Sequence, residues 1–334
     1  MNVLIAGVTG ITGSYIARHL QRCGASVTGL ARRPFAVSDA TVPLIQGDLS
    51  SPETLDALKQ AGQSFSHLVY SGFSSVPGAS WEEVSAWNTR LFDNLLDVAE
   101  HHMPNLQRVL LMQGQKYYGS HLGPFDTPTL ETDPRHPGTN FYFDQQDHLT
   151  ERAGRCRWSC VMLRPHIVCG MNIRAPMNPL LLIGAYAALC KARGEALSFP
   201  GHPDAYNTLY QATDADLLGE AGVWALQSER KGVEAYNITN GDLFRWRRVW
   251  QQIATELDMP LAAPAHRSLP DFIEQNTTLW QELAKQHNLI EADPLQLGDW
   301  RFAEYIMSCP WDIAANTVKA RLHGFNACRD SLEM

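Results

Sequence analysis

The sequence predicts an α/β protein: a Rossmann-type doubly wound parallel sheet with a smaller, mainly helical C-terminal substrate lobe. Three features carry that reading. An apolar run at 3–6 leads straight into a glycine-rich turn at 7–13. Strand-like and helix-like stretches then alternate through the first half, the signature of a parallel sheet with crossover helices. The second half loses the alternation and becomes helical, with a tail rich in Trp and Pro.

Residues 3–6 lack polar alternation, which suits a central strand covered on both faces. Helical spacing of Ile16, Ala17 and Leu20 predicts a helix over 14–23. Further strands are expected at 25–30, 44–46, 67–70, 108–112 and 158–163. Helices are expected at 52–61, 81–101 and 140–155. In the second half the pattern gives helices at 179–192, 214–226, 246–257 and 279–287, and one strand at 234–238. The division that follows is 1–172 with 207–243 for the nucleotide-binding domain, and 173–206 with 244–334 for the capping lobe.

The bulk numbers exclude several classes. A chain of 334 residues with 45% hydrophobic and 19% charged residues is ordinary globular composition. A net charge of −8 gives no electrostatic pull toward nucleic acid or anionic membranes. The N-terminus passes directly into a strand pattern without a basic region, so no signal peptide is read there. The longest apolar stretch, 179–190, is shorter than the ~20 residues that span a bilayer. Seven scattered cysteines contain no Cys-x-x-Cys. Reduced thiols, no metal and a cytoplasmic setting are the expectation.

The turn Gly7-Val8-Thr9-Gly10-Ile11-Thr12-Gly13 sits between a strand and a helix. Its glycines allow a tight bend and close approach of a pyrophosphate, while the helix N-terminus offers N–H donors. Gly7, Thr9, Gly10, Ile11 and Gly13 are therefore assigned to cofactor binding. Enzymes that use NAD place a carboxylate at the end of the second strand for the ribose 2′-hydroxyl. Here Ala31-Arg32-Arg33-Pro34 stands there instead. Two guanidinium groups suit a 2′-phosphate, so NADP(H) is the expected cofactor. Asp48, followed by Leu49, is placed to accept from the adenine amino group. Ile167 and Val168 are assigned to the nicotinamide.

Short-chain dehydrogenases carry Tyr-x-x-x-Lys on one helix, with the pair on one face. Four residues after Tyr142 stands Gln146, so that pair is absent. A lysine stands elsewhere. The strand at 108–112 runs into Gln113-Gly114-Gln115-Lys116-Tyr117-Tyr118-Gly119. Strand C-termini face the cofactor crevice, which brings Lys116 toward Tyr142 from a different element.

At this point the chain resembles the progesterone 5β-reductase and iridoid synthase-like family, an atypical branch of the extended short-chain dehydrogenases. The resemblance covers nearly the whole chain. It rests on 7–13, 31–34, 113–119, Asn140-Phe141-Tyr142-Phe143, Trp158-Ser159, Arg164-Pro165, Gly170, Met177-Asn178, Asp214-Ala215-Asp216 and 237–246. It implies that Lys116 and Tyr142 are the catalytic residues. It also implies NADPH-dependent reduction of the carbon–carbon double bond of enones and enals. Phe143 stands where the family has a second tyrosine, and Gln146-Asp147 replaces Glu-Asp. Met112, Tyr117, Phe143 and Tyr206 are the candidate pocket residues for a small apolar enone or enal. Two other readings stay open: a carbonyl reductase or epimerase of the extended short-chain class, and an NADP(H)-binding regulator without turnover. A homodimer is likewise left open.

Overall fold

The computed structural model describes residues 1–33, 42–156, 158–173 and 175–334. Pro34, part of the arginine motif, lies outside the described residues. Among the described residues seven strands form one sheet: β1 (Asn2–Ala6), β2 (Ser26–Ala31), β3 (Leu44–Gln46), β4 (His67–Tyr70), β5 (Arg108–Met112), β6 (Ser159–Pro165) and, completing the sheet, Val233–Ile238. The order is β3-β2-β1-β4-β5-β6 with Val233–Ile238 at the far edge, and every pairing is parallel. The chain runs outward from β1 in one direction and then returns to run outward in the other. The crevice at that reversal is where open α/β sheets bind ligands.

Burial explains why these segments are strands. Val3, Leu4 and Ile5 are wholly buried, because layers of helix cover both faces. On one face lie α1 (Ile11–Arg22) and, later in the chain, Ala215–Gln227, which pack extensively on each other. Their core includes Ile16, Leu20, Leu217 and Leu218. On the other face lie α2 (Pro52–Ala61), α3 (Trp81–His102) and α4 (Phe141–Arg155), around Phe92, Leu95 and Leu149.

The helix starts are fixed by side-chain caps. Ser80 and Glu83 form a reciprocal capping box at the head of α3, which sets the position of Trp81 as its first residue. Asn140 caps α4 by accepting from the Tyr142 amide at 3.0 Å. Among the described residues no helix is long and apolar enough to cross a membrane.

The second lobe grows out of the C-terminal end of β6. A short parallel pair, β7 (Val168–Cys169) with β8 (Thr213–Asp214), brackets it. Between them runs α5 (Pro179–Ala192). After β8 come α6 (Ala215–Gln227) and the seventh strand of the main sheet, β9 (Val233–Ile238). The lobe then continues as α7 (Trp246–Glu256), α8 (Leu269–Gln275), α9 (Thr277–His287) and α10 (Trp300–Ile306). α11 (Val318–Leu322) returns to pack on β9. Its core is separate from those of the sheet and is aromatic, with Tyr186, Phe199, Tyr210, Trp246 and Trp250. Helices α8, α10 and α11 lie in stretches of the tail where the sequence carries no readable helix period.

Asn178 joins the two lobes. It is almost wholly buried, and its amide donates to the carbonyls of Gly170 (3.0 Å) and Asn172 (3.1 Å) while its carbonyl caps α5. Asn178→Ala strands two buried carbonyls and is expected to cost about 1–3 kcal/mol, read as a lowered urea midpoint. Asn178→Asp restores the cap but not the donors and should stay destabilised. Wild-type stability in both would contradict this account.

Candidate active site

The glycine turn occupies the reversal point between β1 and β4. Gly7 has φ +86°, and a Cβ there would come within 2.8 Å of the Gly72 amide nitrogen on the neighbouring loop. A Cβ on Gly13 would collide with the Gly7 carbonyl. Gly10 is the N-cap residue of α1, and Ile11 is its first residue. Side chains at Gly7 and Gly13 would thus strike neighbouring backbone, so glycine holds this turn tight at the head of α1, where a helix N-terminus suits a pyrophosphate. Asn172 donates to the Thr9 carbonyl at 3.2 Å and ties the turn to the loop leading to the second lobe.

The ends of β2 and β3 are equally well defined. Arg32 and Arg33 are exposed at the end of β2, and Gln46 donates to the Arg32 carbonyl at 3.4 Å. Asp48 accepts from the Ser50 amide (2.9 Å) and hydroxyl (2.7 Å), both on Oδ1. Leu49 is buried, and its carbonyl accepts from Asn94 at 2.8 Å. Ile167 and Val168 follow β6. Ile167 is buried in the second lobe's core and Val168 pairs with Thr213.

Lys116 lies on a 3-10 turn, Gln115–Tyr118, just beyond β5. Its amine stands over two rings, 5.6 Å from the Trp81 centroid and 5.1 Å from that of Tyr305. Trp81 comes from the head of α3, where its indole donates to the Thr139 carbonyl at 2.8 Å. Tyr305 comes from α10 in the second lobe. The aromatic faces attract the ammonium, while burial lowers its pKa from the ordinary lysine value. Burial, together with the same positive charge, holds the nearby His121 neutral, at about 4.

Tyr142 occupies the first turn of α4. Its hydroxyl faces the Gly114 backbone, since a Cβ on Gly114 would stand 3.3 Å from it. Burial pushes the Tyr142 phenol up to about 12. It therefore remains a hydrogen-bond donor across the neutral range. Asn140 links the two candidates: its carbonyl caps the Tyr142 amide, and its side-chain NH2 donates to the Lys116 carbonyl at 2.9 Å. Sequence reasoning gives Asn140 only as part of a motif. Its N-cap chemistry is the available signal for this role.

The position four residues after Tyr142 has a different occupant and a different purpose. Gln146 accepts from the buried Arg164 guanidinium (3.1 Å) and from Gln113 (3.2 Å). Arg164 also donates to Gln113 (2.9 Å) and the Tyr118 hydroxyl (2.8 Å), and it stacks 3.4 Å over the Tyr117 ring. A lysine at 146 would meet this cation head-on.

The four pocket candidates fall in different places. Tyr117 and Phe143 meet edge-on at 5.1 Å within a small cluster with Tyr118, and Arg135 lies 5.0 Å over Phe143. Met112 is half-buried against the core on the α1 side of the sheet. Tyr206 packs against Phe199 in the second lobe at 5.2 Å. Tyr305, which is not among the candidates from sequence, is with Trp81 one of the two rings beside Lys116.

The chain is similar to several known proteins. The model of the NAD dependent epimerase/dehydratase family matches residues 3–239. An (S)-8-oxocitronellyl enol synthase from Catharanthus roseus is 31% identical, over 99% of this chain and 88% of its own length. A 3-oxo-Delta(4,5)-steroid 5-beta-reductase from Arabidopsis thaliana is 31% identical, over 98% of this chain and 88% of its own. Among solved structures, a UDP-glucose 4-epimerase from Bifidobacterium longum in complex with NAD+ and UDP superposes with TM-score 0.70 at 17% identity, covering 100% of this chain and 95% of that one. A UDP-glucose 4-epimerase from Thermus thermophilus in complex with NAD gives 0.69 at 17% identity, covering 100% and 96%. At that identity the likeness speaks for the fold.

Gln146→Lys recreates the Tyr-x-x-x-Lys spacing and tests whether spacing alone matters. It should lower stability by about 1–3 kcal/mol, because it sets a second cation against Arg164 and removes an acceptor. Thermal melting reads that loss. A variant as stable as wild type would show that Arg164 does not depend on Gln146.

Proposed function

The chain belongs to the NAD dependent epimerase/dehydratase family, and from that premise we propose that it is an NADPH-dependent reductase of the carbon–carbon double bond of enones and enals. One observation carries the reading. Lys116 and Tyr142 come from separate elements that Asn140 ties together, while Gln146, at the helix position that ketone reduction would use, is bound into the Arg164 network. The relatives named as a steroid 5-beta-reductase and an enol synthase support the same chemistry, since an enol is what conjugate addition to an enal leaves.

The residues present fit a dinucleotide. Gly7, Thr9, Gly10, Ile11 and Gly13 cradle its pyrophosphate, and Asp48 and Leu49 border its adenine. Arg32 and Arg33 pair with a 2′-phosphate, which is the reason to read NADP(H) rather than NAD. Ile167 and Val168 flank the nicotinamide. When bound, the reduced cofactor supplies the hydride that adds to the β-carbon.

The protein's own part is electrostatic. Negative charge gathers on the substrate carbonyl oxygen as the β-carbon is reduced. The Tyr142 hydroxyl donates a hydrogen bond to that oxygen and keeps its proton up to about 12. The Lys116 ammonium, held over Trp81 and Tyr305 away from bulk water, favours the same negative charge. Asn140 holds both groups in register. The enolate α-carbon then takes its proton from solvent. A carbonyl reductase or epimerase remains the second reading, and a non-catalytic NADP(H)-binding regulator the third. The second reading lacks its helical Tyr-x-x-x-Lys pair, since Gln146 stands there, and the third has no need of Lys116 or Tyr142.

NADPH oxidation with small enones and progesterone tests the proposal. Tyr142→Phe and Lys116→Ala should each lower kcat/KM by about a hundred-fold or more. Absence of alkene turnover, in protein that binds NADPH, overturns the reading.

The alkaline limb of the pH–rate profile should belong to Lys116. The depressed pKa means that its charge is lost below the ordinary value of 10.5 as pH rises, while Tyr142 is still protonated. Lys116→Arg should move that limb upward, and an unmoved limb would assign it elsewhere.

Arg32→Ala with Arg33→Ala should weaken NADPH binding about ten-fold or more and leave NADH nearly unchanged. Equal loss for both cofactors would remove the 2′-phosphate assignment.

A further inference from the structure

Three buried polar atoms at the seam between the lobes have no hydrogen-bond partner: His166 Nε2, Tyr210 Oη and Trp246 Nε1. They are contiguous. The Tyr210 ring lies 4.7 Å from the His166 ring and 5.1 Å from that of Trp246. Buried polar side chains are nearly always paired, so three together without partners call for an occupant.

Their place in the fold indicates which occupant. His166 directly follows Pro165, whose carbonyl lies 3.6 Å from the Cβ position of Gly114, the residue faced by the Tyr142 hydroxyl. Tyr210 is 1% exposed, and Cys309 and Tyr305 lie near enough to add to the rise in its pKa. That Tyr305 ring is the one beside the Lys116 amine. The seam therefore lies beside both candidate residues, next to Tyr142 by way of Pro165 and Gly114 and next to Lys116 by way of Tyr305.

We propose that His166 and Tyr210 form a specificity subsite for a neutral hydroxyl group on the substrate, remote from the reacting carbonyl. The subsite rests on the reductase reading and narrows its substrate to hydroxylated enals and enones.

The chemistry selects a neutral hydroxyl. Burial pushes His166 down to about 3, so the imidazole is uncharged and offers an anion no countercharge. An uncharged imidazole nitrogen either donates or accepts, according to its tautomer. A hydroxyl satisfies both cases, because it can donate and accept at once, and its second bond goes to Tyr210. An alkyl chain in the same place leaves these atoms unpaired.

The test uses trans-2-octenal and its ω-hydroxy derivative with NADPH. Wild type should prefer the hydroxylated enal in kcat/KM by about five- to ten-fold, the worth of one neutral hydrogen bond. Tyr210→Phe keeps the ring and removes the hydroxyl. It should abolish the preference, leave trans-2-octenal within about two-fold of wild type, and leave the melting temperature no lower, since the lost group has no partner in the free protein. His166→Leu should likewise erase the preference.

No preference in wild type, or an undiminished preference in Tyr210→Phe, overturns the subsite while turnover of trans-2-octenal keeps the reductase reading. Should neither alkene be reduced, that reading fails separately. The subsite is then judged by calorimetric titration of the NADPH-loaded protein with octanal and 8-hydroxyoctanal. Tighter binding of the hydroxylated aldehyde, lost in Tyr210→Phe, supports it, and equal binding overturns it.

Discussion

The guanidinium of Arg164 is almost wholly buried at the end of β6, and among the described residues no carboxylate lies within ion-pair distance of it. A buried cation of this kind is tolerated only where neutral acceptors and ring faces replace water. Here each replacement comes from a different element. Gln113 directly follows β5, Tyr117 and Tyr118 belong to the turn that carries Lys116, Gln146 belongs to α4, and the Glu131 carbonyl belongs to the loop between that turn and α4. Solvating one charge therefore fixes the relative positions of everything that carries the candidate chemistry. Tyr118 then passes the network on to Asn237 in β9, so the last strand of the sheet is tied to the same point.

That arrangement explains how the site manages without Tyr-x-x-x-Lys. In the helical version one α-helix supplies both spacing and orientation. In this chain the spacing comes from strand β5 and helix α4, and the orientation comes from Asn140 bridging them. The position that a lysine would have taken is used to solvate Arg164 instead. The glycine turn, by contrast, depends on none of this. It is set by backbone contacts between Gly7, Gly13 and the loop after β4, so the turn and the Arg164 network rest on separable parts of the fold.

The sheet is legible in the sequence because its signals are local. Apolar runs such as 3–6 and 108–112 and caps such as Asn140 give strands and helix starts within a residue or two of where they lie. The glycine turn is legible because its sterics are local too. Lys116 and Tyr142 can be named from motif context, and Asn140 contacts the backbone of both segments. The remainder is not readable because it depends on contacts remote in sequence. Tyr305 is separated from Lys116 by most of the second lobe, and nothing in the short helix Trp300–Ile306 announces a ring beside an ammonium. Tyr117 and Phe143 look like pocket residues by their neighbourhood. Their edge-on contact, with Arg164 on one ring and Arg135 over the other, exists only once the loop has folded. Helices α8 and α11 are too short to show a period.

The two-sided housing of Lys116 has a consequence for biosynthesis. One of its rings, Trp81, is made early, and the other, Tyr305, is among the last thirty residues or so of the chain. Domains fold as they leave the ribosome, N-terminal portions first. The nascent protein can thus fold its glycine turn while the Lys116 amine is still open to water on one side. That ammonium is covered only when translation is nearly over, so a chain that stops before Tyr305 would keep the turn yet leave the amine half-housed.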